Sequence, residues 1–599
     1  MNDPQSFYKA ALETHEADLA RLLKIRNALG WIRFMVFVIT VYVAYCVFDV
    51  YGLWGIIPLL SGIGLLLYLV SRDVNNNQKI SNKKMLISIN EEEMLSLRHQ
   101  FLHRYDGHHL MPEQHPYAGD LDLFGKSSLF QWMNRCYSDG GKELLAKNLL
   151  SPLSTNAIIE RQEAVRELAG MIAWRQQLQS FSAQAPITKI TEERTAMWLE
   201  DEDSHFTGAH WKIITGFYPF ITIGSAMAAA FGYIPGGIFS FLYGIFLTTS
   251  IILSRNTIKP YLHLSGIVKE ITTLQQLMAW IESVKFSSLL LQKKELAAQI
   301  EGETAALQIR KLKNILDRFD LRLNIAGLLF FNAFLLWDVR QMIALNKWRK
   351  KNRTRVPHWF ELIAEIEVIH SLATIHFNHP QWCFPEFNQN HFTFRSRNIG
   401  HPLIPENVRV NSDFDLERMG KIGLITGSNM AGKSTFLRTL GVNVVLAQAG
   451  SPVSASQMEI SPVQLMSSMR IADNLAENTS TFYAELKKLK TIIEAVNRKE
   501  NLFILLDEIL RGTNSLDRHT GSAALIKQLI NQQAVAVIAT HDIELATLEK
   551  EYPDAIENYH FDVQVEGEEL YFDYRLKHGV CTSLNASILM KKIGIELES

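Results

Sequence analysis

The sequence predicts a multidomain fold with an all-α helical region, four transmembrane helices in two hairpins, and an α/β domain at the carboxyl terminus. Three observations support this class. The 599 residues suffice for roughly four domains of ordinary size. Two long apolar stretches interrupt the first half of the chain, and patterns typical of buried strands and helices alternate only in its last third.

Overall charge is nearly balanced. The chain has 60 Lys and Arg residues against 62 Asp and Glu residues, which excludes a whole-chain basic field that would draw it onto nucleic acid, although local patches stay open. The cysteines are isolated and form no C-x-x-C pair, which argues against a disulfide framework or a structural zinc site and fits a reducing compartment. They are Cys46, Cys136, Cys383 and Cys581.

Each apolar stretch has the length of two membrane spans. Residues 31–70 are divided by a turn at residues 49–52 into two runs of about 18 residues, and residues 213–253 are divided at residues 232–237. Basic residues flank both pairs, so the termini and all large segments are predicted to be cytoplasmic, in a protein of the cytoplasmic membrane. These residues are Lys24, Arg26, Arg33, Arg72, Lys79, Lys83, Lys84, Lys212, Arg255 and Lys259.

Two further segments lie near the second hairpin. The apolar run Leu323–Trp337 contains two asparagines and is too short for a span, so it predicts a buried or interfacial helix. The run Lys347–Arg355 (KWRKKNRTR) is strongly basic. It could be a solvated loop, a patch for anionic lipid headgroups or a nucleic-acid contact, and the sequence leaves these three readings open.

A glycine-rich motif opens the chemistry of the last third. Residues 426–435 (TGSNMAGKST) fit the template G-x-x-x-x-G-K-[ST], between a predicted strand at 421–426 and a predicted helix at 434–448. Such a turn presents backbone N–H groups and a helix N-terminus to phosphates, which predicts a nucleoside triphosphate site. The predicted binding residues are Gly427, Ser428, Asn429, Met430, Ala431, Gly432, Lys433, Ser434 and Thr435.

An acidic pair follows a second predicted strand. Residues 502–506 (LFILL) predict a buried strand that ends at Asp507 and Glu508. In this arrangement Asp507 and the Ser434 hydroxyl can hold Mg²⁺ while Glu508 polarises the attacking water. The pair therefore predicts hydrolysis as well as binding, with ATP and Mg²⁺ as cofactors.

A histidine ends a third predicted strand, residues 534–539. Open α/β sheets bind ligands at the carboxyl ends of their strands, so His541 is expected beside the γ-phosphate as a sensor or water-orienting residue. Lys433 is expected to reach the outer phosphates. Glu508, His541 and Lys433 are thus the predicted catalytic residues.

Taken together, the segments of the last third resemble the ATPase domain of the MutS family of DNA mismatch-repair proteins. In the family's order and spacing they are residues 426–435, 446–455 (LAQAGSPVSA), 472–482 (ADNLAENTSTF), 506–513 (LDEILRGT) and 539–541 (ATH). A weaker likeness to the family's core and lever domains begins at residues 124–130 (FGKSSLF) and 140–145 (GGKELL).

The resemblance implies an ABC-like P-loop ATPase that works as a homodimer on ATP and Mg²⁺. It implies that Ser480 completes the nucleotide site of the neighbouring subunit and that Asn429 contacts phosphate. It also implies that Asn411 lies in a segment that packs near the adenine.

Departures from the family pattern bear on function. No F-x-E element for reading mismatches is found near the amino terminus, where Phe7-Tyr8-Lys9 has lysine in place of the glutamate. The second hairpin falls in the lever region, where the family's DNA clamp is inserted, and Leu510 replaces the usual glycine. Mismatch-specific binding is therefore not expected, whereas ATP chemistry is.

The predicted organisation has seven parts. They are a cytoplasmic amino-terminal helix (1–30), transmembrane hairpin 1 (31–71), a cytoplasmic linker (72–118), the first part of a MutS-like core (119–205), transmembrane hairpin 2 (206–256), the second part of the lever and core (257–400) and the P-loop ATPase domain (401–599). The predicted function is a membrane-anchored ATPase with a dimeric composite site, which acts on DNA in relation to mismatch repair. The alternative is an ATP-switched membrane remodelling, transport or signalling protein without DNA recognition. The expected partners are a second copy, membrane lipid and, in the first case, DNA.

Overall fold

Helices form nearly all of the first two thirds of the chain, and two β-sheets follow. The computed structural model describes residues 3–200, 206–299, 302–323, 325, 327–389, 391–428, 431–469, 481–566 and 569–581. The helices before the sheets are α1 (Pro4–Tyr51), α2 (Ile56–Leu97), α3 (Leu129–Met133), α4 (Asp139–Leu150), α5 (Thr155–Gly170), α6 (Ile172–Gln184), α7 (Lys189–Glu200), α8 (Ala209–Ala230), α9 (Gly236–Arg255), α10 (Ile258–Ser265), α11 (Val268–Ile281), α12 (Leu289–Ala298), α13 (Ala305–Phe319), α14 (Ala333–Leu335), α15 (Trp337–Asn352) and α16 (Val356–Asn378).

Strands and helices alternate in the remainder. The strands are β1 (Glu386–Phe387), β2 (Thr393–Ile399), β3 (Ser412–Glu417), β4 (Ile422–Gly427), β5 (Gln457–Ile460), β6 (Gln464–Ser468), β7 (Leu502–Asp507), β8 (Val535–Thr540), β9 (Ile556–Glu566) and β10 (Glu569–His578). The helices among them are α17 (Lys433–Gln448), α18 (Thr481–Asn497), α19 (Ser515–Asn531) and α20 (Leu548–Glu551).

The chain begins with an antiparallel helical hairpin. α1 and α2 are joined by a 3₁₀ turn at Gly52–Gly55. Between the two arms, Asn76 donates to the Leu22 carbonyl at 3.1 Å and Arg33 pairs with Asp73 at 3.1 Å. Most large apolar side chains between residues 31 and 70 face outward and are exposed.

α2 runs well beyond the apolar part of the hairpin. The predicted linker at 72–118 begins inside α2, which continues to its end at Leu97. Asp73, Asn76 and Ile80 are buried at three- and four-residue spacings, and Leu86, Ile89 and Glu93 form a second buried series with the same spacings. These buried series allow the polar half of α2 to form a helix that packs on its neighbours within the predicted linker.

The base of the hairpin is fixed by a buried carboxylate. Arg135 donates to both oxygens of Glu93 at 2.7 and 2.9 Å, and Asn378 donates to the second oxygen at 2.9 Å. The Tyr8 hydroxyl donates to the Asn378 side-chain oxygen at 2.7 Å. Burial acts to raise the pKa of Glu93, but the charges of Arg135 and Arg104 outweigh it and lower that pKa to about 2. Glu93 is therefore an ionised, paired carboxylate.

Several helices have the length and composition of membrane spans. They are the stretch Pro4–Leu97, which contains the α1–α2 hairpin, and the helices Ala209–Ala230 and Gly236–Arg255; the bent pair Gly327–Leu335 and Trp337–Asn352 qualifies if it counts as one span. Length and composition alone do not establish four spans, so the two transmembrane hairpins stay a prediction.

The apolar run Leu323–Trp337 is not one straight helix. Gly327–Asn332 forms a π-helical turn that continues into α14, and the chain then bends by 71° before α15. The buried Leu336 takes a left-handed conformation at the bend, with φ 48°. The predicted single helix is thus interrupted, and side chains of other helices donate hydrogen bonds to its backbone carbonyls at the break.

The basic run at 347–355 begins as the end of α15, not as a loop. Trp348 is buried and stacks on Trp198, and Arg349 donates to the Trp198 carbonyl at 3.2 Å. Trp348, Arg349 and Asn352 therefore belong to the helical core, and the exposed cations of the run include Lys350 and Arg353.

Two sheets form the last third. The larger sheet has the strand order β10-β9-β4-β8-β7-β6, and its strands are parallel except for β10. Alternate side chains along β4, β7 and β8 enter two separate cores, one shared with α17 and the other with α18 and α19. The smaller sheet has the order β1-β5-β2-β3. Because β4, β7 and β8 are adjacent and parallel, their carboxyl ends meet at one edge.

Replacing Glu93 with Gln is expected to lower the free energy of unfolding by about 3–5 kcal/mol, because Arg135 and Arg104 would keep buried charges without their counterion. Thermal or urea unfolding of the full chain in detergent measures this change. Glu143→Gln is the control, since its ion pair with Lys189 is exposed and should contribute nothing measurable. Equal stability of the two variants would contradict the assignment.

Candidate active site

The glycine-rich turn lies between the end of β4 and the start of α17. Gly427 has φ 150° and Gly432 has φ 105°, conformations that L side chains rarely adopt. A Cβ atom at Gly427 would lie 3.0 Å from the Phe561 carbonyl oxygen, and one at Gly432 would lie 3.2 Å from the Tyr574 ring. The turn therefore needs glycine at both positions, and it places the N-terminus of α17 at the sheet edge, where an anion is stabilised.

The other predicted phosphate-binding residues follow this turn. Ala431 is buried, and Thr435 lies in the first turn of α17. The buried Ser428 hydroxyl has no hydrogen-bond partner among the described residues, as expected for a group that binds a ligand. Asn429 and Met430 lie outside the described residues, so their roles stay predictions.

Lys433 points back across the turn. Its Nζ donates to the carbonyls of Gly427 and Ser428 at 2.8 and 2.9 Å, and it lies 3.3 Å from the His541 ring. Burial lowers the pKa of Lys433 to about 8, although the carboxylates of Glu508 and Asp507 oppose that shift. Binding of an anion next to the ammonium group would raise this pKa back toward its ordinary value.

The two acidic residues stand at the end of β7, beside the glycine-rich turn. Asp507 is buried and hydrogen bonds with Ser434. Burial raises the pKa of Asp507, and the hydrogen bond with Ser434 partly offsets this. The Asp507 Oδ1 atom has no hydrogen-bond partner within the described part of the chain. A free carboxylate oxygen beside a hydroxyl fits Mg²⁺, which prefers oxygen ligands.

Glu508 is held on both oxygens. His541 Nε2 lies 2.6 Å from one oxygen and Arg511 Nε lies 2.6 Å from the other. Burial acts to raise the pKa of Glu508, but the hydrogen bond from His541 and the charges of His541, Arg511 and Lys433 together lower it. His541 Nδ1 in turn lies 3.0 Å from the Gly427 carbonyl oxygen. The carboxylate is therefore ionised and fixed in orientation by its two partners.

The loop after the acidic pair is strained. Glu508 and Leu510 have φ 45° and 60°, although neither is glycine. The Leu510 N–H donates to the Glu485 carboxylate at 2.5 Å, and the Leu510 side chain packs on Gly521 of α19. These contacts hold a conformation that costs a leucine about 1–2 kcal/mol.

A cavity of about 220 Å³ adjoins the glycine-rich turn. Its walls are mostly apolar and aromatic, as a nucleobase site requires. They include His401, Ile404, Val408, Val410, Phe436, Phe561 and Tyr574. Burial lowers the pKa of His401 to about 4, so its ring is neutral at physiological pH. The predicted residue Asn411 is exposed and accepts a hydrogen bond from Arg409, while its neighbours Val410 and Ser412 form the wall.

The structure therefore brings Lys433, Ser434, Asp507, Glu508 and His541 to one sheet edge. Sequence reasoning missed other residues of the site. Arg511 had a local signal, since it lies three positions after Glu508. Phe561 and Tyr574 had none, because β9 and β10 come more than a hundred residues after the turn.

Ser480 lies outside the described residues, and its role stays a prediction. Phe482, in the first turn of α18, packs against Gly512, so the start of this helix adjoins the loop that carries Glu508 and Arg511.

Comparison with known proteins identifies this region. Residues 423–592 match the family model for MutS domain V. This part of the chain is therefore a MutS domain V. The DNA mismatch repair protein MutS of Persephonella marina is 32% identical over 246 residues, which are 40% of this chain and 28% of that protein. The MutS proteins of Thermotoga neapolitana (33% over 239 residues; 39% and 28%) and Chlorobium phaeovibrioides (34% over 224 residues; 36% and 25%) are also similar. Each alignment spans less than a third of the length of the MutS relative.

ATP affinity is expected to fall as pH rises above 8. Below pH 8 Lys433 is protonated and attracts phosphate; above pH 8 nucleotide must first restore that proton, so affinity drops by up to about tenfold per pH unit until the pKa of the complex is reached. Binding of a fluorescent ATP analogue at constant ionic strength measures the slope.

Lys433→Arg is the matched control for this experiment. A guanidinium stays charged throughout the range, so its affinity is expected to be weaker but independent of pH. The same slope in both proteins would assign the effect to another group.

Proposed function

We propose that this protein is a membrane-anchored ATPase of the MutS type, which binds and hydrolyses ATP with Mg²⁺ between two copies of the chain. The observation that carries the proposal is the arrangement at one sheet edge of a phosphate-binding lysine, Lys433, and an oriented ionised carboxylate, Glu508. Binding alone would not require Glu508.

Each residue has a distinct part in this chemistry. Lys433 and the start of α17 hold the phosphates. Ser434 and Asp507 would hold Mg²⁺, which neutralises charge on the phosphates when bound. Glu508 orients water and accepts its proton, while His541 and Arg511 hold the carboxylate in place.

Exposed apolar surface supports the membrane anchor. Phe217, Phe220 and Phe241 on α8 and α9 are 66%, 76% and 71% exposed, respectively. Leaving a phenyl side chain in water forgoes about 1.5–3 kcal/mol of burial, so a bilayer is the environment that fits these helices. Basic residues at the helix ends favour the cytoplasmic membrane, with the ATPase domain and both termini in the cytoplasm.

A second copy is proposed as the partner that completes the site. Asp507, Glu508 and Arg511 border a wide cleft of about 1080 Å³ that opens outward. The resemblance to the MutS family implies that Ser480 of a neighbouring subunit completes the nucleotide site at this cleft. Confinement of two copies to one membrane plane raises their effective concentration and favours this pairing.

The output of the ATP cycle has two candidates, action on DNA and movement within the membrane part. One observation favours the second. Tyr8, in the segment Phe7-Tyr8-Lys9, is 1% exposed and donates to Asn378, while Phe7 packs on Phe377. This segment secures the hairpin to the core and presents no aromatic side chain to a base pair.

Lys433→Ala is expected to abolish ATP binding, whereas Glu508→Gln is expected to bind ATP normally and to lose about 10²–10⁴-fold in turnover. The reason is that one residue contacts phosphate and the other activates water. Nucleotide binding and phosphate release, measured on purified protein in nanodiscs, separate the two effects. Glu494→Gln on the exposed face of α18 is the control and should change neither quantity. Equal loss of affinity in both active-site variants would refute the roles.

A mixture of Lys433→Ala and Ser480→Ala subunits is expected to recover ATPase activity above either variant alone. If Ser480 acts in the partner's site, one composite site of the heterodimer carries both defects and the other carries none. Activity of affinity-tagged heterodimers measures the recovery. Confirmed heterodimers without recovery would place Ser480 in its own subunit's site.

If the ATP cycle moves the membrane part and does not act on DNA, the protein is expected to show no salt-sensitive DNA binding. Fluorescence anisotropy with duplex DNA from 50 to 200 mM salt tests this, because phosphate contacts weaken by orders of magnitude over about that range. Strong binding at low salt that disappears at high salt would favour the DNA output instead.

A further inference from the structure

The segment between α13 and α15 leaves the helical core and returns to the same side. The two helices pair along their length: Trp348 Nε1 donates to the Gln308 carbonyl at 2.7 Å, and Trp337 Nε1 donates to the Arg318 carbonyl at 2.8 Å. The arms are therefore antiparallel, and residues 327–335 form the tip between them. A full membrane span would place the arms on opposite sides.

The tip inserts beside α8 and α9. The bend after Leu335 removes the helical partners of the last carbonyls of α14, and donors from other helices replace them. Tyr218 donates to the Ala333 carbonyl at 3.1 Å and Thr222 donates to the Phe334 carbonyl at 2.7 Å.

Two further contacts complete this pattern. Tyr243 of α9 donates to the Leu329 carbonyl at 2.9 Å, and Arg340 Nε donates to the Leu335 carbonyl at 2.9 Å. An unpaired carbonyl in hydrocarbon costs several kcal/mol, so a broken helix inside a bilayer needs such donors.

The depth of the tip follows from helix geometry. Thr222 lies ten residues beyond Lys212, about 15 Å along α8, and Tyr243 lies twelve residues before Arg255, about 18 Å along α9. The hydrocarbon core of a bilayer is about 30 Å thick. Asn332 of the tip also donates to Ser254, one residue before Arg255, at 2.7 Å. The contacts of the tip therefore extend from the basic end of α9 to about the middle of the membrane and no further.

The outward side of the tip is apolar. Phe330 is 63% exposed and Phe331 is 44% exposed, on a segment that is hydrogen-bonded to α9 through Leu329. Trp337 lies at the bend against the Phe331 ring, with its indole N–H satisfied by a backbone carbonyl. This is the position that tryptophan favours at the boundary between lipid and water.

We propose that residues 327–335 form a re-entrant element that inserts into the cytoplasmic leaflet and contacts its acyl chains through Phe330 and Phe331. The proposal rests on the membrane anchoring proposed above. Its occupant is lipid, because the tip is hydrogen-bonded to α8 and α9, whose outward side chains are apolar and exposed. The arms that carry the tip lead through α16 to the first strand of the ATPase region, so one leaflet has direct contact with the nucleotide-driven core.

Fluorescence quenching in liposomes of phosphatidylcholine and phosphatidylglycerol tests the depth. Full-length protein with its native cysteines replaced, checked for ATPase activity, would carry one NBD-labelled cysteine at Phe330, Phe220 or Leu296. Leu296 is 70% exposed on α12 of the helical core and is the aqueous control. Lipids brominated on their acyl chains are expected to quench the label at Phe330 and Phe220 alike, and aqueous iodide only the label at Leu296.

Two failures of this experiment have different meanings. Quenching of Phe330 by iodide, with Phe220 still quenched by brominated lipid, would overturn the re-entrant element alone. Iodide quenching at both positions would overturn the membrane insertion of α8 and α9 as well.

The sidedness of the arms is a second test, independent of any change at the tip. Cysteines at the exposed positions Asn314 and Lys350, on the two arms, are expected to react with an impermeant maleimide from the side that holds the ATPase domain. Reaction from opposite sides of sealed vesicles would show a full span and overturn the proposal.

Discussion

The buried carboxylate of Glu93 is the constraint on which the arrangement of the helical part depends. It receives hydrogen bonds from Arg135, which follows α3, and from Asn378, which ends α16. Through Asn378 it is also joined to Tyr8 at the start of α1. Four stretches far apart in sequence, including that of Glu93 itself, therefore share one charged centre, which costs too much to leave unpaired in the interior. The two arms of the hairpin and the helix that leads to the sheets are positioned together.

A second buried ion pair extends this framework to the nucleotide site. Glu365, on the same helix α16, pairs with Arg161 at 2.7 Å, and Arg161 Nη1 donates to the Ala449 carbonyl just after α17. Gly450 turns there with φ 78°, directly against the Arg161 side chain. The helix α17, whose N-terminus follows the glycine-rich turn, is thus held at its other end by the core that carries the hairpins. A displacement of α17 would therefore also displace α16, because Arg161 contacts both.

Local chemistry explains which parts of the fold and site were predictable. The turn from β4 into α17 and the acids that end β7 follow from glycine, strand and helix patterns confined to a few residues. The walls of the base cavity depend on the pairing of β9 with β4, which places Phe561 there, and no local pattern encodes that pairing. The break at Leu336 was also hidden, because its compensating donors, such as Thr222, lie more than a hundred residues earlier.

Leu510 has a consequence for the energetics of turnover. A glycine would adopt the same left-handed conformation without strain, but it would also let the loop sample many others. The leucine lowers the folding stability. It also restricts the conformations of the loop, because its side chain is packed on Gly521. Glu508 and Arg511 on the same loop then start each cycle already oriented. A flexible loop would have to orient these side chains again before every reaction of the proposed cycle. Here folding of the chain orients them in advance.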